Sequence, residues 1–296
     1  MRARKERSKK MKERIRIAVQ SKGRLNEDTM ALLAEAGIKV GVSKRTLLAS
    51  ARNFPVEVLF LRDDDIPQTV ADGVADAGVV GLNELHEREA DARIVKCLGF
   101  GGCRLSIAIP KEQPYSGVKD LEGRKIATSY PVILKKFLQE HGVHAEIHVI
   151  TGSVEISTGI GLADAIFDIV SSGSTLVSNN LPEVETVLES EAVLIANKEL
   201  PAEKLAILEE LLFRLNAVMA AADKKYVLMN APRESLDAIL AVLPGIKSPT
   251  VMPLAQEGWC SIHTVLDESC FWEIIGRLKA AGAEGILVLP IEKMIL

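Results

Sequence analysis

Along the first 110 residues, short apolar runs alternate with segments in which apolar side chains recur every three or four positions. This is the grammar of strands alternating with helices in a mixed α/β sheet. Residues 16–19 predict a strand. The loop Gln20-Ser21-Lys22-Gly23-Arg24 follows, and Leu25, Leu32, Leu33 and Ala36 then keep helical spacing until Gly37 ends the helix. Residues 56–61 predict a second strand. After it, Arg62-Asp63-Asp64-Asp65-Ile66-Pro67 turns the chain into another helix, with Asp65 at its N-cap and Pro67 in its first turn.

Two corners resemble each other. Asp76-Ala-Gly-Val-Val-Gly and Asp168-Ile-Val-Ser-Ser-Gly both run from acid to glycine over the same spacing. Asp72-Gly-Val-Ala and Asp164-Ala-Ile-Phe precede them, so two lobes on one plan are expected, against chance similarity of two helix-to-strand corners. Residues 105–110 would carry the chain into a second lobe, with strands at 125–128 and 145–150 around a helix at 132–140. The return passes through 192–195 to a long helix at 203–221. From residue 225 the order becomes strand (226–229), helix (234–243), strands (251–254 and 260–265), helix (268–281) and strand (286–290). That βαββαβ order predicts a separate ferredoxin-like module, of the ACT or PII-like kind.

Length and composition narrow the class. A chain of 296 residues, 48% hydrophobic and 26% charged, suits two or three globular domains, and 4% aromatic content leaves the core to Ala, Val, Ile and Leu. A net charge of −4 argues against a nucleic-acid or membrane-surface partner. Residues 1–16 are strongly basic with no apolar run behind them, which reads as a solvated extension or a contact for an anion rather than a secretory signal. Cys97, Cys103, Cys260 and Cys270 form no CxxC pair, in keeping with reduced thiols in a cytoplasm. No apolar stretch is long enough to span a bilayer.

The candidate chemistry centres on Asp168-Ile-Val-Ser-Ser-Gly-Ser-Thr175. A strand there gives way to small, hydroxylated residues whose backbone N–H groups can converge on an anion. Ser171, Ser172, Ser174 and Thr175 around Gly173 would cradle a phosphate, and Asp168 could accept hydrogen bonds from ribose hydroxyls. A plain polar turn after a buried strand is the competing reading. His141, His144 and His148 read as solvated side chains, the run Asp63-Asp64-Asp65 as a capped, solvated loop, and no metal site is assigned.

The run ADAIFDIVSSGSTL resembles the phosphoribosyl-diphosphate signature of the ATP phosphoribosyltransferases. The resemblance extends through Ser21-Lys-Gly-Arg-Leu25, Arg62-Asp-Asp-Asp-Ile-Pro67, Gly102-Cys-Arg-Leu105, Gly152-Ser-Val-Glu155 and Leu287-Val-Leu-Pro-Ile-Glu-Lys-Met294. It implies a periplasmic-binding-protein-like (type II) catalytic unit of two lobes, residues 16–108 plus 182–224 and residues 109–181. A basic extension at 1–15 and a regulatory module at 225–296 complete the expected division.

The same resemblance implies transfer of the phosphoribosyl group to N1 of ATP with loss of pyrophosphate, the first step of histidine biosynthesis, with Mg2+ as counter-ion. Asp168 and Glu155 would contact the ribose, and residues 171–175 its 5-phosphate. Gly23, Arg24, Arg62 and Arg104 would meet the polyanions. L-histidine would bind as feedback inhibitor near Ser248 and Thr250, in a homodimer that associates to a hexamer. Residues 156–160 depart from the family's run and leave the adenine contacts open. The rival from another class is a non-catalytic two-lobed solute-binding or effector-sensing protein.

Overall fold

The computed structural model describes residues 13–41, 46–244 and 249–295. In chain order the elements begin β1 (Ile15–Gln20), α1 (Arg24–Glu35), β2 (Leu48–Ser50), β3 (Val56–Leu61), α2 (Ile66–Ala71), β4 (Ala77–Gly81), α3 (Leu82–Arg88) and β5 (Ala92–Cys97). They continue with β6 (Cys103–Ala108), β7 (Lys125–Thr128), α4 (Pro131–Glu140), β8 (Glu146–Val149), β9 (Ala165–Val170), α5 (Ser174–Ser178), β10 (Glu183–Ser190), β11 (Ala192–Asn197) and α6 (Ala202–Met219). Last come β12 (Lys224–Pro232), α7 (Leu236–Leu240), β13 (Thr250–Pro253), β14 (Trp259–Asp267), α8 (Glu268–Ala280) and β15 (Glu284–Pro290). The chain divides into two compact units between Glu210 and Leu211.

The first unit holds two sheets, in the orders β2-β3-β1-β4-β11-β5 and β10-β6-β9-β7-β8. In the first sheet β1 lies between β3 and β4, parallel to both; β4 then pairs antiparallel with β11, and β11 with β5. In the second, β7 lies parallel between β8 and β9; β9 pairs antiparallel with β6, and β6 with β10. The two lobes therefore share one strand plan, which is that of periplasmic-binding-protein-like folds. Central strands are buried on both faces: Ile15, Ile17, Ala18 and Val19 of β1 are each at most 1% exposed, as are Leu105, Ser106 and Ile107 of β6.

Two strands fall across the expected lobe boundary. Residue spans 16–108 and 182–224 put β6 and β10 in the first lobe, yet both pair in the second sheet. The reason is topological: the second lobe is the continuous stretch from β6 to β10 and the first lobe takes β11 from beyond it, so the chain passes between lobes at 98–102 and at Glu191. The repeat is real, but its register is four residues from the expected one. Asp164, not Asp168, is the counterpart of Asp76, because each directly precedes the third parallel strand of its lobe.

In the second unit the order β13-β14-β12-β15 with antiparallel pairing is the ferredoxin-like arrangement. Val227, Met229, Cys260 and Ile262 pack on Ile239, Phe271, Ile274 and Leu278 from α7 and α8. The helix expected at 234–243 is shorter. A 3-10 turn at Arg233–Ser235 leads into α7, which ends before Pro244, a residue that cannot continue a helix interior. No described helix is long and apolar enough to cross a membrane.

Candidate active site

In the second lobe the parallel strands β7, β8 and β9 deliver their C-terminal ends to one edge, the position where open α/β sheets bind ligands. At the end of β9 the chain turns through Ser171, Ser172 and Gly173 into α5. Gly173 takes the left-handed conformation with φ 76° and ψ 0°, which a side chain would strain. Its turn brings exposed Ser171, Ser172, Ser174 and Thr175 together, with Ser172 Oγ 3.0 Å from Ser174 Oγ. Among the described residues the N–H groups of Ser172, Gly173 and Thr175 have no acceptor within the chain. A small concavity rich in donors results, the arrangement that holds an anion.

Asp168 lies within β9 just below this turn. Its Oδ1 accepts the N–H of Ile169 at 2.8 Å, yet burial raises its carboxyl to about 6, and the nearby charge of Glu155 adds to the rise. Glu155 sits on the 3-10 turn Val154–Ile156, anchored by buried Val154 and entered through Ser153 at φ 52°. Asp168, Glu155 and residues 171–175 thus share one edge.

The first lobe presents the matching edge. Gly23 caps α1 with φ 97°, and Lys22 and Arg24 beside it are exposed. Asn26 Nδ2 pins the loop by donating to the Gln20 carbonyl at 2.6 Å. Arg62 follows β3, the parallel neighbour of β1, and so lies at the same edge. Its guanidinium is 79% exposed and contacts Asp64 at 3.2 Å, a pair that solvent weakens.

Arg104 is differently placed. Its guanidinium fork grips Glu183 through Nε (2.7 Å) and Nη2, and Nη1 reaches the Ser171 carbonyl at 3.5 Å. The pair holds the Glu183 carboxyl below its ordinary range, chiefly through the Arg104 hydrogen bonds. Arg104 therefore braces the cradle with most of its donors already used.

Sequence patterns did not single out Asn83, Glu84 or Tyr130, where the lobes meet, and the solvated-loop reading of Asp63 is corrected by its burial. Tyr130, 9% exposed, receives a hydrogen bond from Asn83 Nδ2 at 3.3 Å and lies beside Glu84 and Asp168; burial first, then those carboxylates, raise its hydroxyl. Burial and Asp63 raise the Glu84 carboxyl. Asp63 has an Oδ1 with no partner, and burial followed by the Asp64 charge lifts its carboxyl to about 6. The one local signal was Tyr-Pro at 130–131, a helix start with proline at its first position.

Away from this region, His141, His144 and His148 engage the Phe137 carbonyl, Glu122 and Glu146 separately. Thr250 opens β13 and is exposed, while Ser248 lies outside the described residues.

A two-lobed α/β unit with a donor-rich turn at one strand edge and exposed Lys22, Arg24 and Arg62 at the other has the features of an anion-binding enzyme or receptor. Comparison with known proteins makes this specific. Residues 62–217 match the family model described as ATP phosphoribosyltransferase, and residues 221–293 the one described as HisG, C-terminal domain. The chain is 71% identical to the ATP phosphoribosyltransferase of Bacteroides thetaiotaomicron over 281 residues, covering 95% of this chain and 99% of that protein. It is also 71% identical to that of Phocaeicola vulgatus over 282 residues, with 95% and 100% covered. Among solved structures, an ATP phosphoribosyl transferase (HisG:HisZ) complex from Thermotoga maritima superposes with a TM-score of 0.59 at 26% identity, covering 68% of this chain and 98% of that one. The chain belongs to the ATP phosphoribosyltransferase family, as a pentosyltransferase of the first step of histidine biosynthesis. The solute-binding alternative is not favoured.

Proposed function

We propose that the cradle at 171–175 holds the 5-phosphate of phosphoribosyl diphosphate, with Asp168 and Glu155 accepting from the ribose hydroxyls. The observation that carries this assignment is the turn at Gly173, which gathers free N–H groups and hydroxyls directly above Asp168. Lys22, Arg24 and Arg62 of the opposing edge then face the pyrophosphate and the ATP phosphates. Arg104 supports the cradle from behind through Glu183.

The adenine N1 lone pair forms the new bond to C1 as the electrons of the C1–O bond leave with pyrophosphate. Positive charge grows on the ribose ring and negative charge on the leaving group. Carboxylates at the ribose and guanidinium groups at the phosphates match that separation, so binding geometry and electrostatics supply the catalysis. Bound Mg2+ would neutralise pyrophosphate charge. The described residues contain no group of three or more His, Cys, Asp or Glu side chains arranged around a metal. Asp168 and Glu155 are hard oxygen donors that fit Mg2+ carried largely by the substrate's own oxygens.

For regulation, L-histidine would act on the C-terminal module near Ser248 and Thr250. The module's sheet leaves Tyr226, Met252, Leu287 and Leu289 exposed, which supports its use in a homodimer that builds to a hexamer. A cytoplasmic location goes with this reading.

The test is a steady-state assay with ATP, phosphoribosyl diphosphate and Mg2+, following phosphoribosyl-ATP by mass. Equimolar phosphoribosyl-ATP and pyrophosphate are expected. A Thr175→Val variant should raise KM for phosphoribosyl diphosphate about 10-fold and leave KM for ATP within about 2-fold, since one phosphate hydrogen bond is lost. An equal rise in both constants would reject the cradle assignment.

A further inference from the structure

Helix α3 lies between the lobes and buries three polar side chains on one face. Asn83, Glu84 and Glu87, at positions i, i+1 and i+4, are 4%, 9% and 7% exposed. Each faces a different part of the junction. Asn83 accepts from the Ser190 hydroxyl at 2.9 Å, at the second crossover between the lobes, and its own N–H donates to Ser190 Oγ at 3.0 Å. Glu84 lies beside the Tyr130 hydroxyl. Glu87 leaves its own lobe altogether: Oε1 accepts the N–H of Val132 and Oε2 the N–H of Ile133, both at 3.0 Å, at the start of α4 in the second lobe.

The hydrogen bonds at that helix start can be counted in full. Pro131 has no N–H, Val132 and Ile133 give theirs to Glu87, and Leu134 already bonds the Tyr130 carbonyl at 3.2 Å. A carboxylate from the first lobe thus fills the whole N-terminus of α4, the end favoured by negative charge. The segment it grips follows β7, and Thr128 of β7 stands opposite Phe167, the residue before Asp168. Tyr130, between the gripped turn and β7, faces the Asp168 charge. A second and exposed tie, Lys136 Nζ to Glu89 Oε1 at 2.7 Å, joins the same two helices.

A well-packed apolar contact could hold two helices together without desolvating a carboxylate. What the carboxylate adds is direction, because two parallel hydrogen bonds fix both the distance and the angle of α4 against α3. We infer that Glu87 is a positioning residue for phosphoribosyl transfer: its two bonds to Val132 and Ile133 set the separation of the two lobe edges, and so the alignment of Asp168 and Tyr130 with the groups on the first lobe. This rests on the reading that the reaction occurs between those edges.

The test compares the full-length parent with Glu87→Ala and Glu87→Gln after parent activity has been established, so that failure of the wider reading shows in the parent and not in the variants. Folding is checked by circular dichroism and kinetics are expressed per folded enzyme. Glu87→Ala should lower kcat by about 10- to 100-fold, the scale of a misalignment near 1 Å. Added formate, small enough to occupy the vacated helix end, should restore a large part of kcat while chloride at equal ionic strength does not. Glu87→Gln keeps the side-chain volume but turns an amide N–H2 toward a backbone N–H, and should also lose kcat without responding to formate. A kcat within about 2-fold of the parent in either variant, or a loss in Glu87→Ala that formate leaves untouched, overturns the inference. Failure of both variants to fold would assign Glu87 to stability alone and overturn it equally.

Discussion

Asp76 and Asp164 hold the same post in the two lobes. Asp76 accepts the N–H of Arg16 at 2.7 Å just ahead of β4, and Asp164 accepts that of Lys125 at 2.9 Å just ahead of β9. Each also donates its own N–H to the carbonyl of the same residue at 2.8 Å. The pair ties the first and third parallel strands of each lobe, β1 to β4 and β7 to β9, where both begin, opposite the ligand edge. The tie differs in weight, because Asp76 is 6% exposed and also bonds Lys204 Nζ at 2.7 Å, whereas Asp164 is exposed. Asp76→Ala should therefore cost about 2 to 3 kcal/mol and Asp164→Ala about 1 kcal/mol or less in denaturant unfolding. Equal costs would show that burial and Lys204 add nothing.

In its proposed role Asp168 accepts from ribose hydroxyls more strongly when ionised, and burial raises its carboxyl to about 6. The ratio kcat/KM for phosphoribosyl diphosphate should rise with pH through that value, since it reports the free enzyme. Asp168→Asn should lower it about 10-fold or more at neutral pH, the worth of one charge-assisted hydrogen bond, and should remove the acid limb. A limb retained in the variant would point instead to Asp63, which burial also lifts to about 6.

The same shift bears on stability, with the opposite sign to a salt-bridged acid. A carboxyl raised from 3.8 to about 6 on folding binds its proton more tightly in the folded state, so its contribution is present below about pH 4 and is lost as pH rises through 6. Asp168→Asn should consequently be more stable than the parent at pH 8, by up to about 2 kcal/mol, with the gain gone by pH 4. Thermal unfolding at the two pH values would check this, and a variant less stable than the parent at pH 8 would contradict it.

Gly173→Ala probes the turn. A built Cβ meets nothing closer than Glu183 Oε1 at 3.5 Å, so space is available, but φ 76° remains unfavourable for alanine. Local strain of about 1 kcal/mol should appear less in global stability than in a several-fold higher KM for phosphoribosyl diphosphate, because relief of the strain opens the donor cluster. Unchanged KM would mean that the turn is not needed for phosphate.

Strands β3 and β7 could be read from the chain to the residue, since each is a short apolar run bounded by charged or polar turn residues. β10 could not: its sequence EVETVLES mixes charges into an edge strand that, among the described residues, pairs with β6 alone, and no apolar run announces it. Helix α3 was equally silent, because Asn83, Glu84 and Glu87 look like surface residues and are buried by a lobe more than 40 residues away along the chain. The turn at 171–175 was visible as composition, small and hydroxylated after a strand. What composition could not give was the engagement of Arg104 by Glu183, a partner 79 residues distant. The shift of the internal repeat from Asp168 to Asp164 has a similar cause, since both alignments place an acid before apolar residues and only the strand pairing separates them.

The most direct test of the cradle is a crystal structure with phosphoribosyl diphosphate bound. The 5-phosphate should lie within hydrogen-bonding distance, about 3 Å, of the N–H groups of Ser172, Gly173 and Thr175, with the ribose hydroxyls on Asp168 and Glu155. A 5-phosphate seated instead on Lys22, Arg24 or Arg62, with pyrophosphate in the turn at Gly173, would contradict the account.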